Sequence, residues 1–566
     1  MSAPIGKGAW LAMSLACAGL ALVVLVLIGL SWWQDRMLFP LENSPILVEL
    51  ARQVRASPGD EGLKEELRRE DRRLRALYFR HHRRRELGGW LLFLFAGGAL
   101  WCTGRRRALV REERPPMPDL PGVLRPRPRW PELAGLVGLA VAAGGLFVAG
   151  AARARPLPAL PVAKQEKPPD YRHNWPGFRG LGNGHAPPGD YPRAWDAAKG
   201  EGVLWKTPVT IPGHSSPVIW GDRIYLTGGE ERRRVVLCFD RTDGRRLWTR
   251  LVRTPPESDA AKRKEPLQVY PDTGYAASTP VTDGERVYAI FATGDLAALS
   301  REGEVLWVRN LGIPASAYSF SSSLACHRGR VLVQYDQGGD PDLGLSRLLA
   351  FAGGSGEKAW EKKRPVGGSW SSPQVLPVAG KPQLVTTANP WVIAYDPWSG
   401  EELWRCNALY GDVAPSPVSA GEVVFVTNDM AQVAAIKATG RGDVTGTHIL
   451  WTALDGCADT ASPLTDGEFF FQVRQDGQMT CYAAATGKLL WEEFADYGFK
   501  ASPVLAGGRV YLTDQVGETV TFVLGPGYEV LSRGSLGEAV SASPAFGDGR
   551  IYFRGAKHLF CLGSGK

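Results

Sequence analysis

The chain has 566 residues, enough for about three to four average domains or for one large repeat architecture. With 44% apolar and 22% charged residues it is a folding chain, which excludes a disordered one. The 67 glycines and 42 prolines favour many turns and short strands. None of the eight cysteines is adjacent to another or lies in a C-x-x-C motif, which argues against a disulfide scaffold, a zinc ribbon and a c-type haem site.

The net charge of +8 is unevenly distributed. Residues 1–155 hold 24 Lys and Arg against 14 Asp and Glu, a net of +10, so the remainder (42 basic, 44 acidic) has a net of −2. The basic excess borders apolar runs, which is typical of membrane flanks rather than of a nucleic-acid surface. We therefore expect a lipid bilayer as a partner and no nucleic acid.

Residues 1–155 are predicted to form a membrane region with about three transmembrane helices. Residues 9–33 form an uncharged run of 25, whereas about 20 residues are enough to cross a bilayer. Residues 87–104 are apolar between two arginine clusters, and a buried or interfacial helix is the alternative for them. Residues 133–152 are rich in glycine and alanine and form the third predicted span.

The orientation follows from the short segment 105–130, which holds 8 arginines and 3 acids. By the positive-inside rule this segment faces the cytoplasm, so everything after residue 152 lies on the periplasmic or extracytoplasmic side of the cytoplasmic (inner) membrane. Residues 156–170 are rich in proline and predict a semi-rigid linker before the remaining domain, 171–566.

From residue 171 onward the chain is periodic. A small-Ser-Pro element precedes a β-rich run at seven places, and an eighth copy lacks the proline. Successive elements are roughly 40 to 50 residues apart, except for one larger interval after the first, and this is the period of a four-stranded propeller blade. The elements are Ser215-Ser216-Pro217, Ser278-Thr279-Pro280, Ser322-Ser323-Leu324, Ser371-Ser372-Pro373, Pro415-Ser416-Pro417, Ala461-Ser462-Pro463, Ala501-Ser502-Pro503 and Ala542-Ser543-Pro544.

Most units end in a turn glycine followed four residues later by tryptophan, as in Gly244/Trp248 and Gly400/Trp404. Glycine suits a hairpin turn, and an indole buries a large area. The seventh unit departs, with Leu531 where tryptophan is expected. The tryptophans predicted to dock each blade on the next are Trp205, Trp248, Trp307, Trp360, Trp404, Trp451 and Trp491.

The eighth unit stops at its turn without a last strand. Residues 202–207, which include Val203-Leu204-Trp205, have the pattern of that strand but no blade before them. We expect them to pair into the last blade and close the ring, because closure leaves no exposed sheet edge. The sequence thus predicts an all-β eight-bladed propeller behind an N-terminal α-helical transmembrane region.

These repeats resemble the quinoprotein, or PQQ-repeat, β-propeller family, which includes quinoprotein alcohol dehydrogenases and the BamB-type assembly lipoprotein. The stretch Trp175-Pro-Gly-Phe-Arg-Gly180 resembles the opening of many such proteins. The resemblance covers about 171–566 and implies the fold, while one fold hosts many functions. A dehydrogenase of this family would carry a vicinal cysteine pair, Ca²⁺ ligands and an Asp base, and this sequence has no Cys-Cys pair.

The loops just before the small-Ser-Pro elements are predicted to reach one rim of the central channel. Their larger residues form either a ring for a small polar ligand or a peptide, or strand caps and turn partners. The insertion 251–275 is expected to be an exposed loop over one face, either functional or simply solvated. The candidate rim residues are His214, Tyr275, Trp370, Asp412, Asp459, Lys500 and Glu538.

No catalytic residue and no metal ligand is assigned from the sequence. The sequence favours a membrane-anchored, non-enzymatic propeller that has no cofactor and that binds protein or envelope components at its rim. The alternative is a quinoprotein dehydrogenase that oxidises an alcohol or a sugar with PQQ and Ca²⁺.

Overall fold

The computed structural model describes residues 13, 15–17, 19–20, 22–23, 102–103, 171–263, 265–429 and 431–564. The chain divides into two units, Met1–Pro168 and Pro169–Lys566. Apart from a few helical residues within 9–33 and 87–104, the three predicted spans and the linker lie outside the described residues. Within the part that is described, no helix is both long and apolar enough to cross a membrane.

The second unit is an all-β propeller of eight sheets, which confirms the predicted fold and blade count. We number its strands β1 to β34 along the chain. The strands of each blade are given from the innermost to the outermost. The strands of blades 1 to 4 are β3 (Val218–Trp220), β4 (Arg223–Glu230), β5 (Arg233–Asp240), β6 (Arg246–Val252); β7 (Val281–Thr282), β8 (Arg286–Ile290), β9 (Asp295–Ser300), β10 (Val305–Asn310); β11 (Ala325–His327), β12 (Arg330–Tyr335), β13 (Arg347–Ala352), β14 (Lys358–Lys363); and β15 (Gln374–Val378), β16 (Lys381–Thr387), β17 (Trp391–Tyr395), β18 (Glu402–Asn407).

The second half of the ring repeats this arrangement, with one strand of blade 8 supplied from the start of the domain. The strands of blades 5 to 8 are β19 (Val418–Ala420), β20 (Val423–Thr427), β21 (Val433–Lys437), β23 (Ile449–Ala453); β24 (Leu464–Thr465), β25 (Phe469–Val473), β26 (Gln478–Ala483), β27 (Leu489–Phe494); β28 (Val504–Ala506), β29 (Arg509–Thr513), β30 (Glu518–Phe522), β31 (Ser532–Ser535); and β32 (Ala545–Gly547), β33 (Arg550–Arg554), β34 (His558–Leu562), β2 (Val203–Pro208).

The residue pattern of each strand follows from its place in the blade. The middle strands are covered on both faces by neighbouring blades, so they are continuous apolar runs; in β5, residues 235–239 are all buried. The outermost strands have one solvated face and alternate, as in β2, whose residues are half-buried and exposed in turn. The core is therefore a set of apolar layers between adjacent blades.

The ring is closed by β2, which is antiparallel to β34. Val203 pairs with Leu562 and Pro208 with His558, with a bulge near Trp205. The strand that the sequence places at 202–207 thus forms the outer edge of blade 8.

Two blades carry a fifth strand that runs parallel to their outer edge. In blade 4, β22 (Gly442–Asp443) pairs with β18. In blade 7, β1 (Trp195–Asp196) pairs with β31, and Trp195 lies opposite Gly534. Leu531 precedes β31 and is 48% exposed. The indole missing from the seventh repeat is therefore supplied by Trp195, which is buried against Phe553 of blade 8.

Candidate functional site

The rim face is defined here as the end of the channel where the chain passes from the outer strand of one blade to the inner strand of the next. Each small-Ser-Pro element lies at this point. In blade 5, the Ser416 N–H donates to the hydroxyl oxygen of Ser462 in blade 6 at 3.0 Å. The same bond links seven successive junctions, joining residues 216, 279, 323, 372, 416, 462, 502 and 543 in order. The repeated hydroxyl thus ties neighbouring blades together around the channel.

The junction between blades 8 and 1 also has an arginine. The buried Arg554 guanidinium of β33 donates to the Ser215 hydroxyl at 2.7 Å and to the Thr227 carbonyl at 2.7 Å. A longer bond of 3.4 Å reaches the Ile211 carbonyl. These oxygens accept hydrogen bonds from the buried guanidinium, which would otherwise lose its bonds to water on burial.

At the opposite face the tryptophans join the blades. The Trp307 indole N–H, for example, donates to the Gly353 carbonyl of the next blade at 2.8 Å. A Cβ on the following turn glycine, Gly356, would overlap this indole, and its φ of 67° also favours glycine. Equivalent indole bonds are made by Trp205, Trp248, Trp360, Trp451 and Trp491. Trp404 instead donates to the Gln383 side chain, under the loop that carries β22.

Four of the seven candidate rim residues have contacts that hold the rim loops. The Glu538 carboxylate accepts from the backbone N–H groups of Lys557 and His558, each at 3.0 Å, and from the His558 ring at 2.7 Å. His214 lies 2.8 Å from the Ser541 hydroxyl. Tyr275 donates to the Leu267 carbonyl. The Asp412 carbonyl accepts from Asn428, while the residue itself is exposed.

Asp459 lies in a charged cluster on blades 5 and 6. Its carboxylate accepts from the Gln475 N–H at 3.1 Å. Nearby, Arg474 is paired with Asp429 and with Asp476, the latter at 3.1 Å. Burial raises the pKa of Asp459 to about 6, and the positive charge of Arg474 only partly opposes this rise.

The remaining two rim residues are linked to the insertion, Lys500 directly and Trp370 through Tyr318. Lys500, in the loop before blade 7, forms an ion pair with Asp272 of the insertion at 3.0 Å. Trp370, before blade 4, packs edge-on against Tyr318 at 4.8 Å between ring centroids, and Tyr318 packs against Tyr270 of the insertion at 5.0 Å. The insertion thus reaches rim loops on opposite sides of the ring.

Sequence reasoning missed Tyr270, Asp272 and Tyr318, which do not belong to the repeat. It also missed two exposed leucines in the β12–β13 loop, Leu343 (62% exposed) and Leu345 (39%). The signal that was available is the insertion itself, a long non-repetitive stretch at a rim position.

The β12–β13 loop is bound to the same rim segments. The Gly338 N–H donates to the Ala315 carbonyl at 2.8 Å, and the Gly368 N–H donates to the Gly338 carbonyl. One residue beyond Ala315, the Ser316 hydroxyl accepts from the Trp370 indole at 2.8 Å. We call the exposed and half-buried apolar residues of these bonded rim segments the blade-3 rim patch: Tyr270, Tyr318, Leu343, Leu345 and Trp370.

The opposite end of the channel is covered by residues 174–191, which we call the plug segment. It pairs with inner strands around the ring: Trp175 with Ile219 of blade 1, Ala186 with Leu505 of blade 7. The Asn183 side chain binds both backbone groups of Ser419 in blade 5. In the sequence, only the stretch Trp175–Gly180 indicates this segment, through its resemblance to the first residues of many proteins of the PQQ-repeat family.

The described side chains at the rim do not form a recognisable set of Ca²⁺ ligands. Among the described residues no group of three or more His, Cys, Asp or Glu could hold a metal ion, and all eight cysteines are free. The half-buried rim carboxylates are already bound to protein groups, Glu538 to His558 and Asp459 to Gln475. No step is therefore assigned to PQQ with Ca²⁺.

Comparison with known proteins supports the repeat assignment. A family model described as "Outer membrane protein assembly factor BamB" matches residues 192–363, 344–461 and 442–524. These matches together span more than half of the chain. No curated protein matches it.

Several solved structures have a similar fold at low sequence identity. BamB from Moraxella catarrhalis is 16% identical with a TM-score of 0.46, over 63% of this chain and 98% of that one. Quinohemoprotein alcohol dehydrogenase from Comamonas testosteroni is 13% identical with a TM-score of 0.49, over 69% and 81%. Quinohemoprotein alcohol dehydrogenase ADHIIG from Pseudomonas putida HK5 is 12% identical with a TM-score of 0.50, over 70% and 81%. This last likeness supports the propeller fold alone.

Proposed function

The chain belongs to the family described as outer membrane protein assembly factor BamB, and from this premise we propose that its propeller is a scaffold that binds a protein partner. The partner binds at the rim face, on the blade-3 rim patch. Helices at 9–33, 87–104 and 133–152 anchor the chain in the cytoplasmic membrane, and the propeller faces the extracytoplasmic side.

The observation that carries the proposal is the composition and exposure of this patch. Tyr270 is 52% exposed beside the half-buried Tyr318–Trp370 pair, and Leu343 is 62% exposed. Protein interfaces are enriched in aromatic residues, and their binding energy is concentrated in a few such side chains. Exposed apolar side chains held together by rim loops therefore favour a protein ligand over a small polar one.

A crosslinking experiment tests the position of the partner. A photoreactive amino acid is placed at Leu343 or at Tyr270 of the full-length chain in its native membrane. As controls it is placed at Leu450 and Val523, which are 52% and 54% exposed but lie away from the rim loops. We expect both rim positions to give the same adduct and the control positions to lack it.

A binding measurement gives the energetic counterpart. The double change Tyr270→Ala and Leu343→Asp should weaken co-purification of the crosslinked partner by tenfold or more, since truncating an interface anchor costs about 2 kcal/mol or more. Leu450→Asp should leave it unchanged. Equal adducts at all four positions, or unchanged co-purification by the double variant, would exclude the patch.

A cofactor assay separates this proposal from the dehydrogenase alternative. The purified full-length chain is mixed with PQQ and Ca²⁺, and dye reduction is followed with alcohols and sugars. We expect no turnover. Substrate-dependent dye reduction would replace the scaffold function by a quinoprotein one.

The proposed location has its own test. A reporter fused after residue 566 is assayed for activity on each side of the membrane. We expect activity outside the cytoplasm, because the arginine-rich segment 105–130 favours the cytoplasmic side. Cytoplasmic activity of the reporter would contradict the proposed orientation.

A further inference from the structure

The plug segment contains a buried cation that has no acidic partner in the part of the chain that the structure describes. Arg179 is 0% exposed, and its φ of 57° places its backbone in the left-handed region, which residues other than glycine rarely adopt. Its guanidinium Nη2 donates to the Pro463 carbonyl of blade 6 at 2.6 Å and to the Asn183 carbonyl at 3.3 Å. Because Pro463 immediately precedes β24, the inner strand of its blade, the guanidinium lies beside the inner strands that surround the channel.

Two of the guanidinium nitrogens of Arg179, Nε and Nη1, have no hydrogen-bond partner among the described residues. The buried Ser419 hydroxyl, on the residue that Asn183 binds, also lacks a partner there. These free groups are donors, and burial of a donor without an acceptor costs free energy.

Other buried arginines of the propeller are compensated in recognisable ways. Arg364 is paired with the equally buried Asp336 at 2.7 Å, and Arg241 is paired with Asp548 at 2.9 Å. Arg554 lacks a carboxylate but donates to several carbonyl and hydroxyl oxygens. Arg179 has neither form of compensation at Nε and Nη1.

The charge of Arg179 persists at neutral pH. Burial lowers the pKa of its guanidinium to about 9, which still leaves it protonated. Burial lowers the pKa of His185, which follows in the plug segment, and the charge of Arg179 acts in the same direction. Water could satisfy the free N–H groups but would not neutralise a buried cation, which is unfavourable without a counter-charge.

We propose that Arg179 holds a small inorganic anion at the plugged end of the channel, with its Nε and Nη1 as donors. The site is enclosed by the plug segment and by inner strands, so it admits a halide or a similarly small ion rather than an organic ligand. The anion supplies the missing counter-charge and holds the plug segment against the inner strands. This site shares no residue with the blade-3 rim patch, where the protein partner binds.

Thermal unfolding of the full-length chain in detergent tests the site, with tryptophan fluorescence as the signal. Chloride is compared with gluconate at constant ionic strength, since gluconate is too large for the enclosed site. We expect the midpoint temperature to rise with the logarithm of chloride concentration and to stay flat in gluconate. The same midpoint in both salts would overturn the proposal.

Two variants assign the effect to this residue. Arg179→Met keeps an unbranched side chain but removes the guanidinium, and it should abolish the chloride dependence. Arg193→Gln removes an exposed arginine soon after the plug segment and should retain it. An unchanged chloride response in Arg179→Met would place the ion elsewhere.

Crystals of the unmodified chain soaked in bromide provide a test that does not depend on a variant's folding. We expect an anomalous peak within hydrogen-bonding distance of Arg179 Nε or Nη1. Ordered water at these atoms without anomalous signal would show that solvent alone satisfies them, and the proposal would fail.

Discussion

The indole of Trp195 packs on Gly534, and the first strand of the domain thereby joins the seventh blade at its outer edge. A Cβ on Gly534 would overlap the indole ring, and the same indole packs against Phe553 of blade 8. Trp195 therefore performs for the junction of blades 7 and 8 the packing that a tryptophan of the repeat performs elsewhere.

Replacing Trp195 by alanine should destabilise the propeller by about 3–5 kcal/mol, because a large buried aromatic is lost from a junction that has no indole of its own. Leu531→Ala, which truncates the residue at the position of the repeat, should cost less than about 0.5 kcal/mol because Leu531 is largely exposed. Chemical denaturation of both full-length variants measures the difference. Equal losses would mean that Trp195 does not replace the missing indole.

The hydroxyl of Ser462 should be required as an acceptor. In Ser462→Ala the buried Ser416 N–H loses its partner, which should cost about 1–3 kcal/mol. Ser462→Thr keeps the oxygen, as Thr279 does in blade 2, and should be closer to the original stability. If both variants unfold at the same denaturant concentration, the inter-blade bond contributes nothing measurable.

These two junctions show how much of the fold the sequence could predict. The repeated serine and the Gly–Trp pairs are local patterns, and they were sufficient for the fold and the blade count. The role of Trp195 was not predictable from the repeat, because the residue lies more than 300 positions before the blade that it completes. The spacing also predicted which loops reach the rim, but it did not predict their partners, such as Asp272 for Lys500, because the insertion has no counterpart in other blades.

Asp459 should make stability depend on pH in mildly acidic solution. Its folded-state pKa of about 6 exceeds the ordinary value of 3.8, so the folded protein binds this proton more tightly than the unfolded chain does. The favourable contribution is complete below about pH 4 and is lost as the pH rises through 6.

The check is the free energy of unfolding of the original chain and of Asp459→Asn, measured from pH 4 to 7. The difference between the two free energies of unfolding should change over this interval and be constant above it. Arg474, Asp429 and Asp476 are present in both proteins, so their titration does not contribute to the difference. Parallel curves across the whole interval would rule out a raised pKa at Asp459.

The ion pair between Lys500 and Asp272 should restrain the insertion without contributing much to global stability. Asp272 is largely open to solvent, which screens the pair to about 0–1 kcal/mol, so Lys500→Ala should leave the unfolding midpoint nearly unchanged. Trypsin cleavage after the exposed Lys262 should become faster, by up to about fivefold, because detached forms of the loop are more populated. Lys199→Ala, which removes an exposed pair with Asp196, is the control and should not alter this rate.

The pairing of β2 with β34 has a consequence for biosynthesis. Val203 and Leu562 are neighbours in one sheet although 359 positions separate them along the chain. Almost the entire domain must therefore be synthesised before the ring can close. Until then β2 is unpaired and can form non-native strand pairs. Holding factors that shield nascent β-structure are consequently most needed during the long interval between the emergence of the first strand and that of the last.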